Sequence, residues 1–228
     1  MTPLANRRES HKQGHRVRLP RVEREQQMLT AAHELFAERG YAAVTMDDVA
    51  AAAGITKPLL YNYFGNKERL YLACMQPAGE ALVSTVVRAV AGTTNAADAL
   101  DAGLRSFFAF LAEDRAAWRV LFDETLPRGG EVAERVAEYR ERIAQLVGET
   151  LLAQLPERQR GRASTEVSAI SIAVLGAAEA LGRWWLRSDA TSSEDAAEML
   201  IDTLRPGLRE RAARGSSMTS TPVAGRAA

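Results

Sequence analysis

Between Arg21 and Met75 the chain reads RVEREQQMLTAAHELFAERGYAAVTMDDVAAAAGITKPLLYNYFGNKERLYLACM, and the punctuation of this stretch leaves few folds open. Met28, Leu29, Ala32, Leu35 and Phe36 recur at helical spacing, so a first amphipathic helix runs up to Gly40, which stops it in the C′ position. Thr45-x-x-Asp48 is a variant capping box that opens a second helix, its carboxylate facing the positive end of the helix dipole. Val49 and Ala50 face inward, and Ala53-Gly54-Ile55 make a tight turn. Thr56 caps a third helix, Lys57 to about Phe64. Gly65-Asn66 breaks it, and Asn66 caps a fourth. Two short helices joined by a turn of three or four residues containing glycine make a helix-turn-helix, whose second helix is the one that enters a DNA major groove.

In that second helix, KPLLYNYF, Leu60 and Phe64 are four apart and pack inward. Lys57, Tyr61, Asn62 and Tyr63 fall on the other faces: an ammonium, two phenols and an amide, the groups that reach phosphates and base edges. Lys67 lies in the first turn of the next helix, where backbone amides already favour an anion. The candidate DNA-binding residues are Thr45, Thr56, Lys57, Leu59, Tyr61, Asn62, Tyr63 and Lys67.

This stretch resembles the DNA-binding domain of the TetR family of bacterial transcriptional regulators. The matching pieces are Leu35-Phe-Ala-Glu-Arg-Gly-Tyr41, Thr45, Val49-Ala50, Ala53 to Lys57, and Leu60-Tyr61-x-Tyr63-Phe64-x-x-Lys67-Glu68-x-Leu70. Pro58 departs from the pattern, in which a small residue is common. Proline is tolerated in the first helical turn, where its missing N–H has no partner within the helix, but one amide contact to DNA cannot be carried over.

The 228 residues have zero formal charge, unevenly spread: residues 1–70 hold 11 Lys/Arg and 8 Asp/Glu, leaving 18 and 21 for the rest, +3 against −3. That split fits one end facing nucleic acid. Residues 1–20 are a basic arm with Arg7, Arg8, Lys12, Arg16 and Arg18, expected to be disordered; it is either a solvated tail or a DNA-contacting segment. The single cysteine, Cys74, excludes an internal disulfide and points to a reducing compartment. It reads as a small buried hydrophobe, with redox sensing as the alternative. No apolar segment near the start resembles a signal sequence, and the longest uncharged apolar run, residues 167–178, is well short of the ~20 residues that span a bilayer. A cytoplasmic protein with no membrane partner is expected.

The rest of the chain is helical by period, with no strand pattern. A fourth helix from Lys67 passes Pro77, which is either a simple kink or a hinge. A fifth helix spans Ala96–Ala112 behind Asn95, a sixth Asp114–Asp123, a seventh Glu131–Gln154, an eighth Ser164–Arg187 and a ninth Ser193 to about Leu208. Pro156 to Gly161 separates the seventh from the eighth. The tail, residues 214–228, is expected to be disordered. This gives an all-α chain of about nine helices, with domains at 21–68 and 69–213. Enzyme signals are missing: no nucleophile motif, no glycine-rich phosphate loop and no HExxH. His11 and His15 have ligand-like spacing without further ligands, so neither metal nor cofactor is expected. Glu179 and Arg183, four apart on an apolar helix, pair either at an interface between subunits or inside a ligand site.

The resemblance extends loosely over the body. It implies a homodimer whose last two helices pair with their copies, and a pocket among the middle helices for a small apolar or aromatic effector. Pocket candidates are Phe107, Phe108, Leu111, Trp118, Phe122, Tyr139 and Ile143. Interface candidates are Ala169, Ala173, Gly176, Ala180, Leu200 and Leu204. The expected function is a ligand-responsive, homodimeric repressor on a palindromic double-stranded operator. An activator or ligand-independent regulator is the alternative, and an all-α enzyme or interaction module stands further off.

Overall fold

A computed structural model of the protein describes residues 20–153, 155, 157–188 and 191–217. The expectations for the basic arm up to residue 19 and for the tail from residue 218 lie outside the described residues. Among the described residues there are nine helices and no strand: α1 (Arg21–Ala43), α2 (Met46–Ala52), α3 (Lys57–Phe64), α4 (Lys67–Val90), α5 (Ala96–Glu113), α6 (Arg115–Leu121), α7 (Glu131–Ala153), α8 (Glu157–Arg187) and α9 (Ser193–Ser217).

Local chemistry sets most of these boundaries. The Thr45 hydroxyl accepts from the Asp48 amide, and the Asp48 carboxylate accepts from the Thr45 amide, a complete capping box. Asn66, Asn95 and Asp114 each accept from the amide three residues on, at the starts of α4, α5 and α6. Thr56 occupies the cap position of α3, but its side chain makes no cap hydrogen bond. Gly40 breaks α1 at φ +78° and one further turn follows it; Gly54 makes the α2–α3 turn at φ +61°.

α1 continues three residues past Gly40 and α6 stops two residues short of Asp123, but two boundaries differ from the sequence expectation by more. α8 begins at Glu157, seven residues early, and carries Gly161 inside it; α9 runs through Pro206 and Gly207 to Ser217. Gly161 stands among strong helix formers, ERQRGRA, and Pro206-Gly207 is followed by another such run, LRERAAR. A glycine costs only about 1 kcal/mol in a helix interior, so the arginines, alanine and glutamate around Gly161 outvote it, whereas Pro206 costs about 3 kcal/mol and the continuation of α9 past it has no such local account.

α4 is the spine. It packs with α1, α3, α5, α6 and α7. Leu70, Tyr71, Met75 and Leu82 are fully buried in a core continuous with Met28, Phe36 and Leu60 of the first three helices and Phe108 and Leu111 of α5. Pro77 lies inside α4 and the helix continues through it. Beyond it, the Tyr139 ring of α7 lies so close to Gly79 that a Cβ there would sit 2.4 Å from ring carbons, so only glycine allows this crossing. Cys74 is buried, as the hydrophobe reading requires, and burial pushes its thiol up to about 12.

Candidate nucleic-acid interface and effector cavity

α3 presents two faces. Leu60 and Phe64 are buried, and Leu59 is half-buried against the same core. Thr56, Lys57, Tyr61 and Asn62 are exposed, and Thr45 is exposed at the start of α2. Lys57 and Tyr61, four apart, share one exposed face of α3, and Leu59 is turned partly away. Both cations among the candidates are already engaged. Lys57 Nζ lies 2.8 Å and 3.0 Å from the two carboxylate oxygens of Asp47 on α2, and this hydrogen bond raises its pKa. Lys67 sits 4.3 Å above the Tyr41 ring with its ammonium 3.5 Å from the Ala42 carbonyl oxygen. Burial against Tyr41 lowers its pKa. Tyr63 is half-buried beneath the guanidinium of Arg21.

The reading surface is bolted to the body. The Tyr41 amide donates to Asp123 and the Ala42 amide donates to Thr125 (3.1 Å), both from the loop after α6. Phe36, Tyr41 and Tyr71 meet edge to face behind this contact, and the Tyr71 hydroxyl donates to the Val120 carbonyl. Glu124, between the two loop residues, reaches Arg183 and Arg187 of α8.

A cavity of about 70 Å³ lies between α4, α5, α7 and α8, with Leu208 of α9 at its edge. Its wall is apolar except for Thr150, whose hydroxyl is spent on the Leu146 carbonyl. A water needs roughly 10–15 Å³ and two or more polar partners, so this space suits a few carbon atoms. Of the predicted pocket residues, Phe107 and Ile143 line it. Phe122, Tyr139 and Ile143 line a smaller void of about 10 Å³ beside Gly79. Phe108, Leu111 and Trp118 line neither. Phe108 packs edge-on to Phe107 and Trp185, Trp118 stacks on Phe122 at 3.8 Å, and Leu111 lies against Gly182. Their bulk goes into packing between helices. The missed walls are Val86 and Val90 of α4 and Ala96, Ala99, Leu100, Gly103 and Leu104 of α5. The signal was present: small residues at positions 96, 99 and 103 fall on one helical face and leave room.

Glu179 is buried and takes two hydrogen bonds from Arg140 of α7, at 2.8 and 3.0 Å, with Arg183 at 3.7 Å. The expected partner Arg183 is therefore secondary to a residue 39 positions away. Ala169, Ala173, Gly176 and Ala180 are exposed along one face of α8, together with Ile172 (63% exposed) and Trp184 (43%), a stripe left uncovered among the described residues. Leu200 departs from the expectation: it is buried inside the subunit with Ala196, Ala197 and Ile201, and Met199 faces outward instead. Leu204 is half-buried. Among the described residues no group of His, Cys, Asp or Glu could hold a metal ion.

A helix-turn-helix of this length, bolted through one long helix to an all-helical body with an apolar cavity, defines a DNA-binding regulator. The comparisons agree with the geometry. Residues 28–74 match the family model for bacterial regulatory proteins of the tetR family, and residues 96–205 match that for the tetracyclin repressor-like C-terminal domain. The HTH-type transcriptional activator FasR of Mycolicibacterium smegmatis is 34% identical over 180 residues, 79% of this chain and 80% of that protein. The HTH-type transcriptional regulator BetI of Rhizobium meliloti is 29% identical over 142 residues, 60% and 70% of the two chains. A solved TetR-like transcriptional regulator from Rhodococcus sp. RHA1 superposes with a TM-score of 0.69 at 31% identity, over 84% of this chain and 99% of that one. AibR, solved with isovaleryl coenzyme A and operator DNA, shares the fold with a TM-score of 0.62 at 21% identity, over 79% and 97%. The chain belongs to the TetR family of transcriptional regulators; it is a DNA-binding protein and not an enzyme.

Proposed function

We propose that the protein is a homodimeric, ligand-responsive repressor that acts on a palindromic operator in the cytoplasm. The observation that carries this is the two-faced α3: Leu60 and Phe64 anchor it, and Lys57, Tyr61 and Asn62 are left outward with no packing role. Thr45, Thr56, Tyr63 and Lys67 flank that helix and supply phosphate contacts. Two copies related by a two-fold axis place their α3 helices in major grooves about one helical turn, ~34–36 Å, apart. The uncovered stripe of α8, with Met199 of α9, supports the dimer. Small residues let two helices approach closely, and exposed Ile172 and Trp184 gain from burial. The apolar cavity supports a small apolar effector, the sort of group that the acyl portion of AibR's isovaleryl coenzyme A presents.

A gel shift with the DNA upstream of the gene tests the reading. Wild-type protein binds as a dimer, and Tyr61→Ala loses operator binding while its helical circular dichroism is kept. Ala173→Arg gives monomers by light scattering that no longer bind. A wild-type monomer at micromolar concentration would remove the two-fold reading, and Tyr61→Ala with wild-type affinity would remove α3 as the reading helix. A second reading is activation, favoured by the name of the relative FasR. Transcription in vitro from the bound promoter decides it by its sign: a fall means repression and a rise means activation.

A further inference from the structure

We propose that Arg21 and Arg69 form a phosphate-binding site at the C-terminal end of α3, separate from the α3 side chains that face outward; this rests on the reading that α3 enters the major groove. The guanidinium of Arg21, at the first position of α1, lies 5.4 Å above the centroid of the Tyr63 ring. Arg69, in the first turn of α4, folds back over the α3–α4 turn, with Nη1 3.8 Å from the place a Cβ on Gly65 would take. Tyr63 and Gly65 are two residues apart, so helices that enter the domain from opposite ends of the sequence deliver two guanidinium groups to one end of α3. Both arginines are exposed, and among the described residues neither side chain has an acidic partner. The acid next to Arg69 in sequence, Glu68, points to Gly130 just before α7.

The contrast with the two lysines makes the inference. Lys57 is held by Asp47, and Lys67 by the Tyr41 ring and the Ala42 carbonyl. A phosphate must displace Asp47 to use the first and find a partly desolvated ammonium in the second. Arg21 and Arg69 carry no such cost. A guanidinium offers planar, paired donors that match two phosphate oxygens, and it is weakly hydrated, so it stacks on an aromatic face without losing its charge. Tyr63 holds Arg21 in place before DNA arrives and lowers the entropy lost on contact. Phosphate contacts fix the register of the protein on the duplex and carry no sequence information, so this site acts alike on operator and on random DNA.

The experiment is fluorescence anisotropy of full-length protein on the upstream duplex and on a random duplex of equal length, over a range of salt. Arg21→Gln and Arg69→Gln each flatten the log–log salt slope in part, and the double variant flattens it by about 0.9 per subunit, the one phosphate that the shared site neutralises. Affinity for the two duplexes falls by the same factor. The Arg21→Lys and Arg69→Lys double variant keeps the slope and loses affinity, because the charge stays and the paired donors go. Three outcomes overturn the proposal: an unchanged slope in the Gln double variant, a loss confined to the upstream duplex, or a Lys double variant as tight as wild type. Wild-type protein that binds neither duplex overturns instead the regulator reading on which the site rests. Thermal melts of each variant check that these exposed substitutions leave the fold intact.

Discussion

Asp123 stands where the helical body grips the reading head, and Asp123→Ala measures that grip. Its carboxylate accepts from the Tyr41 amide across the domain junction and, at 2.8 Å each, from the amide and hydroxyl of Thr125. The first bond is partly buried and charge-assisted, a kind worth about 1.5–3 kcal/mol. The other two are exposed and shape the loop that presents Thr125 to the Ala42 amide, adding roughly half a kcal/mol together. The expected loss is therefore about 2–3.5 kcal/mol. For a chain of this length each kcal/mol moves the melting temperature by about 2–4 °C, so the shift is roughly 4–14 °C. Glu124→Ala is the control. That carboxylate reaches Arg187 at 3.5 Å and Arg183 at 4.0 Å with its side chain 68% exposed, and an exposed pair of this kind is worth under about 1 kcal/mol. Calorimetry of both variants beside wild type gives the comparison. An Asp123→Ala variant that melts with Glu124→Ala would mean that the loop touches the α1 turn without holding it.

The two kinds of helical glycine give opposite signs. Gly79→Ala drives a methyl into the Tyr139 ring and costs about 1–3 kcal/mol, whereas Gly161→Ala meets nothing and gains up to about 1 kcal/mol of helix propensity; two melts of equal sign refute the packing argument. Gly103→Leu fills the apolar cavity, so the melting temperature rises and any effector response disappears, and a lowered melting temperature with the response intact argues against the cavity as the effector site. Cys74 stays a protonated thiol at neutral pH and resists iodoacetamide until the protein unfolds, so rapid alkylation of the folded chain would restore the redox reading. Because its folded pKa lies above the unfolded value, its contribution to stability is complete below about pH 9 and is lost as pH rises toward 12.

The helix-turn-helix was legible because its boundaries are written in local chemistry. Thr45 and Asp48 complete each other within one turn, Gly54 must take a positive φ, and Asn66 caps the helix that follows it directly. None of these needs a partner from elsewhere in the chain. The state of the cations did: Lys57 finds Asp47 ten residues back, and Lys67 finds Tyr41 across a helix crossing. No periodicity encodes either. The cavity was half legible for the same reason. Aromatic residues at helical spacing mark a buried face, but whether a ring fills a space or borders one depends on what the neighbouring helices bring. Trp185 and Gly182 arrive from α8 and close the space around Phe108, Leu111 and Trp118. The small residues of α5 instead leave a hole against Val86 and Val90.

In the proposed ligand-responsive regulator, α4 is the lever. It starts at Lys67 beside the reading helix, and its far end, Val86 and Val90, forms a wall of the cavity; Pro77 and Gly79 lie near its middle, against Tyr139. Lys67 to Val86 spans about 28 Å at 1.5 Å per residue. A tilt of roughly 5° about the middle moves the reading end by about 1.2 Å over a ~14 Å arm. In the proposed dimer the two ends move apart by twice that, against a base-pair rise of about 3.4 Å. A modest tilt therefore spoils the match to two half-sites. The energy to drive it sets a limit on the effector. Switching the operator-competent population from 99:1 to 1:99 needs a preference of about 5.5 kcal/mol. Burial supplies about 0.8 kcal/mol per methylene, so about seven methylenes must be buried in one state and not in the other. In the proposed ligand-responsive regulator, an effector tail that pushes Val86 and Val90 away from α5 and α7 supplies that difference and tilts α4 at its reading end.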